Sequence, residues 1–264
     1  MSRLEAIVWD WTYFPYLVLS FIVFAGLSNW VSELSARLCP SYKNFPQDTK
    51  TIWHTYIFSM IHAIIMSILS VYALTTDPEL WKDPIWCDSP VVRASCALCI
   101  GYMLFDAFNM ARHYRLLGDW FFFLHHGATI YAYFVVMTYG VLPFFAIYRL
   151  LAEISTPFVD IRWMIDVLGY SKTSPQNIIN GVLMTLSFFI VRILVMPHYW
   201  YIVYTVYGTD DFNRIGHIQL ILVVSCFVLD VINLLWFYKM CRGVKKVLTL
   251  KFDANRNDIS QKTS

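Results

Sequence analysis

The sequence predicts an all-α fold: a polytopic membrane helix bundle with seven transmembrane helices and its polar chemistry gathered inside. Hydrophobic residues make up 58% of the 264 and charged residues only 14%. With a mean hydropathy of +0.53, the chain has too little polar surface to cover a water-soluble globule. Seven apolar stretches also reach about the 20 residues that a helix needs to cross hydrocarbon. They occupy residues 13–31, 52–74, 91–110, 120–139, 141–161, 178–204 and 216–240.

The first stretch lacks a basic flank and a small-residue cleavage site, and Trp30, Glu33 and Arg37 follow it. It therefore reads as a retained span and not as a cleaved leader. The fourth and fifth stretches are separated only by Gly140, with Pro143 just inside the next one, as a tight helical hairpin requires. Pro157, Gly181 and Pro197 mark expected kinks in the fifth and sixth, tolerable where protein or water takes up the freed backbone groups. The seventh runs into residues 239–251, where basic residues alternate with Val244, Val247, Leu248 and Leu250. That pattern predicts a short interfacial helix held by anionic lipid. Trp11, Tyr13, Trp53, Trp120, Tyr139, Trp200 and Trp236 fall at span ends, the positions of an interfacial aromatic belt.

The basic residues orient the bundle. With seven spans, Lys and Arg number 14 on the side of the tail and 4 on the other, and still 7 against 4 without the tail. The tail is then cytosolic and the N-terminus luminal, in a multi-pass membrane protein. The net charge of +2 points to no nucleic-acid partner. Cys39, Cys87, Cys96, Cys99, Cys226 and Cys241 do not have the spacing of a disulfide framework. Cys96 and Cys99 form a C-x-x-C inside an apolar helix without a second pair, so small packing residues are a better account of them than a zinc or redox site.

Ionisable groups in hydrocarbon cost about 2.5–3.5 kcal/mol each on insertion scales, so each needs a partner, a wet cavity or a task. Those inside the apolar stretches are His54, His62, Asp106, His125, His126, Arg149, Glu153, Arg192 and Asp230, joined by the amides of Asn109 and Asn233. At about 1.5 Å per residue, Asp106 lies roughly 6 Å from the cytosolic end of its span. His125 and His126 lie roughly 8 Å in, Glu153 roughly 12 Å, and His62 and Asp230 roughly 15 Å. A cavity open toward the cytosol, with Asp106, one of the two histidines and Glu153 in its wall, is the simplest account. His62, Asn109, Thr129, Asp230 and Asn233 are further candidate cavity residues.

Adjacent histidines point about 100° apart on a helix, so one faces the bundle axis while the other touches a neighbour. An imidazole beside a carboxylate can act as a general base or nucleophile, with Asp106, Glu153 and Asp230 as candidate partners. The same groups can equally form a buried hydrogen-bond network that holds the helices in register. Neither the adjacent pair nor any H-x-x-x-H supplies metal-ligand spacing, and no metal is expected. Arg149 and Glu153 stand at i,i+4 and are expected to form a structural ion pair. Arg192 has no acid on its own helix and is expected to pair with Asp230, Asp106 or a lipid headgroup.

Two stretches carry a family resemblance: Leu124, His125, His126, Gly127, Ala128 and Thr129 in the fourth span, and the run from Glu153 to Trp163 in the fifth. In them the sequence resembles the TLC domain family, which includes the TRAM proteins, the ceramide synthases and the ceroid-lipofuscinosis membrane protein. The resemblance divides the chain into an N-terminal region with the first span at 1–42, a TLC domain at 43–248 and a polar cytosolic tail at 249–264. It implies six helices ringed around a cavity that lipid can enter, with the first span outside. In ceramide synthases the paired histidines belong to the active site, a role the resemblance places on His125 and His126. The His-Asp pair and second Asp of those enzymes fall at Ala152, Glu153 and Thr156, so ceramide synthesis is not expected. Three functions follow as expectations. The first is binding of a membrane lipid in lipid homeostasis, without cofactor. The second is lipid acyl transfer from acyl-CoA, with His125 or His126 as base or acyl carrier and Glu153 or Asp106 as orienting acid. The third is a cargo or translocation helper.

Overall fold

The computed structural model describes residues 9–263, with side chains described except at 121, 221, 248 and 250–263. Arg3, which enters the charge count, and the side chains of Leu248, Leu250, Lys251, Arg256 and Lys262 lie outside the described residues. Among the described residues every element is helical. The principal helices are α1 (Phe14–Leu38), α2 (Gln47–Thr76), α3 (Pro90–Arg112), α4 (Trp120–Tyr139), α5 (Pro143–Leu150), α6 (Thr156–Val167), α7 (Pro175–Phe188), α8 (Val195–Val206) and α9 (Ile218–Thr263).

Among the described residues five helices are long and apolar enough to cross a membrane: α1, α2, α3, the continuous α7–α8 rod Pro175–Val206, and Ile218–Val247 of α9. The other two expected spans differ for separate reasons. Helix α4 has 20 residues but carries His125 and His126 in its apolar stretch. Residues 141–161 are not one helix, because Leu151–Ser155 winds as a 3-10 segment between α5 and α6. Pro157 has no N–H for the Glu153 carbonyl, and its ring crowds that turn. The same effect is seen upstream of Pro197, where Phe189–Leu194 widens into a π segment. Gly181, by contrast, lies inside the unbroken α7. The tail also departs from expectation, since α9 runs through the basic segment as a single helix of 46 residues.

Helix α3 is the axis of the bundle: 67% of its most apolar stretch is buried, against 11% for Pro175–Val206 and 18% for Ile218–Val247. Helix α1 can lie directly on it because Gly101 has no side chain. A Cβ there would meet Ser20 Cβ at 2.6 Å, and the Ser20 hydroxyl instead donates to the Leu98 carbonyl at 2.8 Å. Phe24 of α1, Phe58 of α2 and Tyr102 and Phe105 of α3 pack ring against ring at the junction. Outward, Leu19, Ile22, Ile68, Ile179, Leu220 and Phe227 stay exposed, as side chains facing acyl chains do. In such a solvent close packing and interhelical hydrogen bonds, not apolar burial, hold helices together.

Two tryptophans expected in the interfacial belt are interior donors. Trp53 is buried and donates to Ser35 Oγ at 3.1 Å, and Trp200 donates to Asp230 Oδ2 at 2.7 Å. On the opposite end of α3, Arg93 ties down the segment before α1. Its guanidinium pairs with Asp10 at 2.7 Å and Asp88 at 3.1 Å, donates to the Met137 carbonyl at 2.9 Å and lies 4.6 Å from the Tyr13 ring centre. The hairpin between α4 and α5 turns through two left-handed residues, Gly140 at φ +65° and Leu142 at φ +59°. The Leu142 N–H is held by the Ile85 carbonyl at 2.7 Å.

Candidate functional site: a histidine–aspartate pair beside an apolar cavity

Helix α3 presents Tyr102, Asp106 and Asn109 along one stripe, at the spacing that keeps residues on one helical face. Antiparallel α2 answers with His62, Ser59 and Thr55. The His62 and Tyr102 rings stack 4.0 Å apart at 14°, His62 Nε2 lies 3.9 Å from Cys99 Sγ, and Asn109 Nδ2 donates to Thr55 Oγ1 at 3.2 Å. His126 of α4 completes this seam, with Nε2 2.9 Å from Asp106 Oδ2. Its Nδ1 faces the Phe122 carbonyl at 2.7 Å. A carbonyl only accepts, so Nδ1 carries a hydrogen, and a neutral His126 would turn a lone pair toward Asp106. The pair therefore holds one proton between Nε2 and Oδ2, either as imidazolium and carboxylate or as imidazole and carboxylic acid. Asp106 Oδ1 is buried without a hydrogen-bond partner. His125 is half-buried, its ring 5.8 Å from that of His126 and turned by 85°.

A further acid stands in this group that the sequence alone did not reveal. Asp160 of α6 is 4% exposed, neighbours Ser59, and leaves Oδ2 without a partner. It escaped notice because the fifth apolar stretch ends at 161, which placed it at the membrane edge. The signal lay in its spacing of seven from Glu153, two turns on the same face. Glu153 itself sits half-buried in the 3-10 segment, in the neighbourhood of His126, Asp160 and Arg192.

The expected Arg149–Glu153 ion pair does not form. Arg149 closes on Asp230 of α9 instead, through Nη1 at 2.5 Å and Nη2 at 3.1 Å. The reason is the Pro157 break, since the helix ends at Leu150 and the i,i+4 relation is lost across the 3-10 turn. Trp200 shares Asp230, and the Tyr199 ring covers the guanidinium at 3.9 Å. Arg192, expected to meet an acid or a lipid, takes neutral partners: Ser155 Oγ at 2.9 Å, and Asn233 Oδ1 and Thr156 Oγ1 at 3.3 Å each.

An apolar cavity of about 80 Å³ opens between α4, α5, α8 and α9, several times the roughly 10–15 Å³ that admits one water. Of the expected cavity residues Thr129 lines it, together with Arg149. His62, Asn109, Asp230 and Asn233 do not, nor do Asp106, His126 and Glu153; all of these but Glu153 meet side chains of neighbouring helices instead. Ala128 and Thr129 nevertheless bring its wall to within one turn of the histidines. No group of three His, Cys, Asp or Glu side chains could hold a metal among the described residues. Outside the spans, burial and acidic neighbours push the Cys87 thiol up to about 11, which makes it a poor nucleophile.

The TLC domain profile matches residues 52–242 of the chain. The chain belongs to the TLC domain family. This TLC protein is 38% identical over 247 residues to TLC domain-containing protein 4-B of Danio rerio, an overlap covering 93% of both chains. It is 39% identical over 234 residues to TLC domain-containing protein 4 of Homo sapiens, covering 88% of this chain and 89% of that one. To TLC domain-containing protein 2 of Danio rerio it is 22% identical over 191 residues, 72% of this chain and 76% of that one. No solved structure matches it. The TLC match contains the histidine pair, Asp106, Glu153, Asp160 and the whole cavity wall.

Proposed function

We propose that this TLC protein binds a membrane lipid inside its helix bundle and through it acts in membrane lipid homeostasis. It is a seven-span protein of the endoplasmic reticulum with a luminal N-terminus and a cytosolic tail. The observation that carries this reading is the apolar cavity bounded by α4, α5, α8 and α9, which has one charged side chain in its wall. Such a cavity suits an acyl chain, and Thr129 in its wall stands one helical turn from His126, on the side where a headgroup would find polar partners. The purified protein should retain lipid through solvent extraction and mass analysis. Ala146→Phe, which fills the cavity, should lose it, and a wild type that retains no lipid above a control membrane protein would defeat the proposal.

A second reading, acyl transfer from acyl-CoA, is favoured by one observation. His126 is oriented by the Phe122 carbonyl and shares a proton with Asp106, the arrangement of an imidazole readied for proton transfer. Ceramide is not the expected product, because Ala152 stands where those enzymes have a histidine. Incubating the purified protein with acyl-CoA and membrane lipid, and comparing His125→Ala/His126→Ala, separates the two readings.

A further inference from the structure

The cavity wall contains a donor that nothing in the protein uses. Arg149 gives both terminal nitrogens to Asp230 end-on, and Tyr199 covers one face of the guanidinium. Its Nε–H is left buried and without a hydrogen-bond partner, and Arg149 is the one charged residue of a wall that also carries the hydroxyls of Thr129 and Ser225. Buried polar groups of native proteins find partners, and leaving one unmade costs about as much as a lost hydrogen bond. The partner must bring an acceptor. It need not bring charge, since the Arg149–Asp230 pair is already neutral and an added carboxylate would be an unpaired buried anion. A hydroxyl proton would not reach Asp230, whose carboxylate is already engaged by Arg149 and Trp200.

We infer that Arg149 Nε–H holds the ester carbonyl of a neutral acyl lipid, whose chain fills the cavity between α4, α5, α8 and α9. This rests on the lipid-binding reading and names its ligand class: an acylglycerol with an uncharged ester oxygen. Arg149 thereby has two tasks, structural through its terminal nitrogens and selective through Nε.

The test uses the full-length protein in nanodiscs of fixed composition, doped in turn with monooleoylglycerol, its alkyl-ether counterpart, which lacks the carbonyl, and oleate. Bound probe is counted by native mass spectrometry. One hydrogen bond of ordinary strength corresponds to about tenfold in affinity, so the ester should be retained about tenfold over the ether and over oleate. Arg149→Lys keeps a cation for Asp230 and removes Nε–H, so the ester and ether should then bind alike. The ester-to-ether comparison on the wild type stands even if Arg149→Lys fails to fold. Equal retention of ester and ether by the wild type, or a preference for oleate, overturns the assignment of Nε while lipid binding itself survives. Retention of no probe overturns both, and Ala146→Phe releasing ester and ether together supports the cavity as the place of binding.

Discussion

At the scale of the residue, the cost of an unpaired interior charge governs the arrangement. Arg149 and Asp230 belong to helices 81 positions apart in sequence, and each exists in the bundle only because the other does. Arg149→Ala should therefore destabilise the protein by about 3–5 kcal/mol, as loss of one partner of a buried pair does. Glu153→Gln should change it by under about 1 kcal/mol, since Glu153 does not share that pair. Thermal unfolding in detergent ranks the two, and equal losses would restore the Arg149–Glu153 pairing. The sequence showed which residues were polar and deep, because depth follows from position along an apolar run. It did not show who pairs with whom, because partners such as Asp106 and His126 meet through tertiary packing. Asp160 was hidden for a related reason: the apolar run ended before its helix did.

At the scale of the element, prolines and glycines account for the departures from regular spans. Pro157 and Pro197 were legible as breakers, but whether the backbone tightens into a 3-10 turn or widens into a π segment depends on the helices packed around it. Gly101 carried no special signal, yet it sets the approach of α1 to α3. Gly101→Leu should force the two apart and cost about 1–3 kcal/mol as overpacking, read as easier proteolysis of α1. If α1 protection is unchanged, Gly101 does not set that contact. The Arg93 clamp belongs to this scale too. Hydrogen bonds from Thr12, and then the Arg93 charge, hold the Asp10 carboxyl below its usual 3.8. A group whose value is depressed in the folded state stabilises above its unfolded value and loses that as pH falls. The segment before α1 should stay docked at neutral pH and loosen as pH drops below about 3.8. Asp10→Asn should remove that pH response, with tryptophan fluorescence of Trp9 and Trp11 as the readout.

At the scale of the whole molecule, the question is how many times the chain crosses. Among the described residues five helices are long and apolar enough to cross, and five or seven crossings both place the termini on opposite sides, whereas six would bring them together. The distinction rests on α4 and on the broken pair α5–α6. Helix α4 is about 30 Å long at 1.5 Å per residue, enough for hydrocarbon, and its buried histidine is paired with Asp106, so it need not expose charge to lipid. The α5–α6 unit is irregular at Leu151–Ser155, but broken backbone is tolerated at membrane depth where protein surrounds it. That condition holds, since Ser155 is fully buried and bonded to Arg192. Both units should therefore cross. Cysteine accessibility decides it: single cysteines introduced at Tyr114 before α4, at Gly140 between α4 and α5, and at Lys172 after α6 should label from the cytosolic, luminal and cytosolic sides in turn. Labelling of all three from one side would reduce the crossings to five and return His125, His126 and Glu153 to the membrane surface.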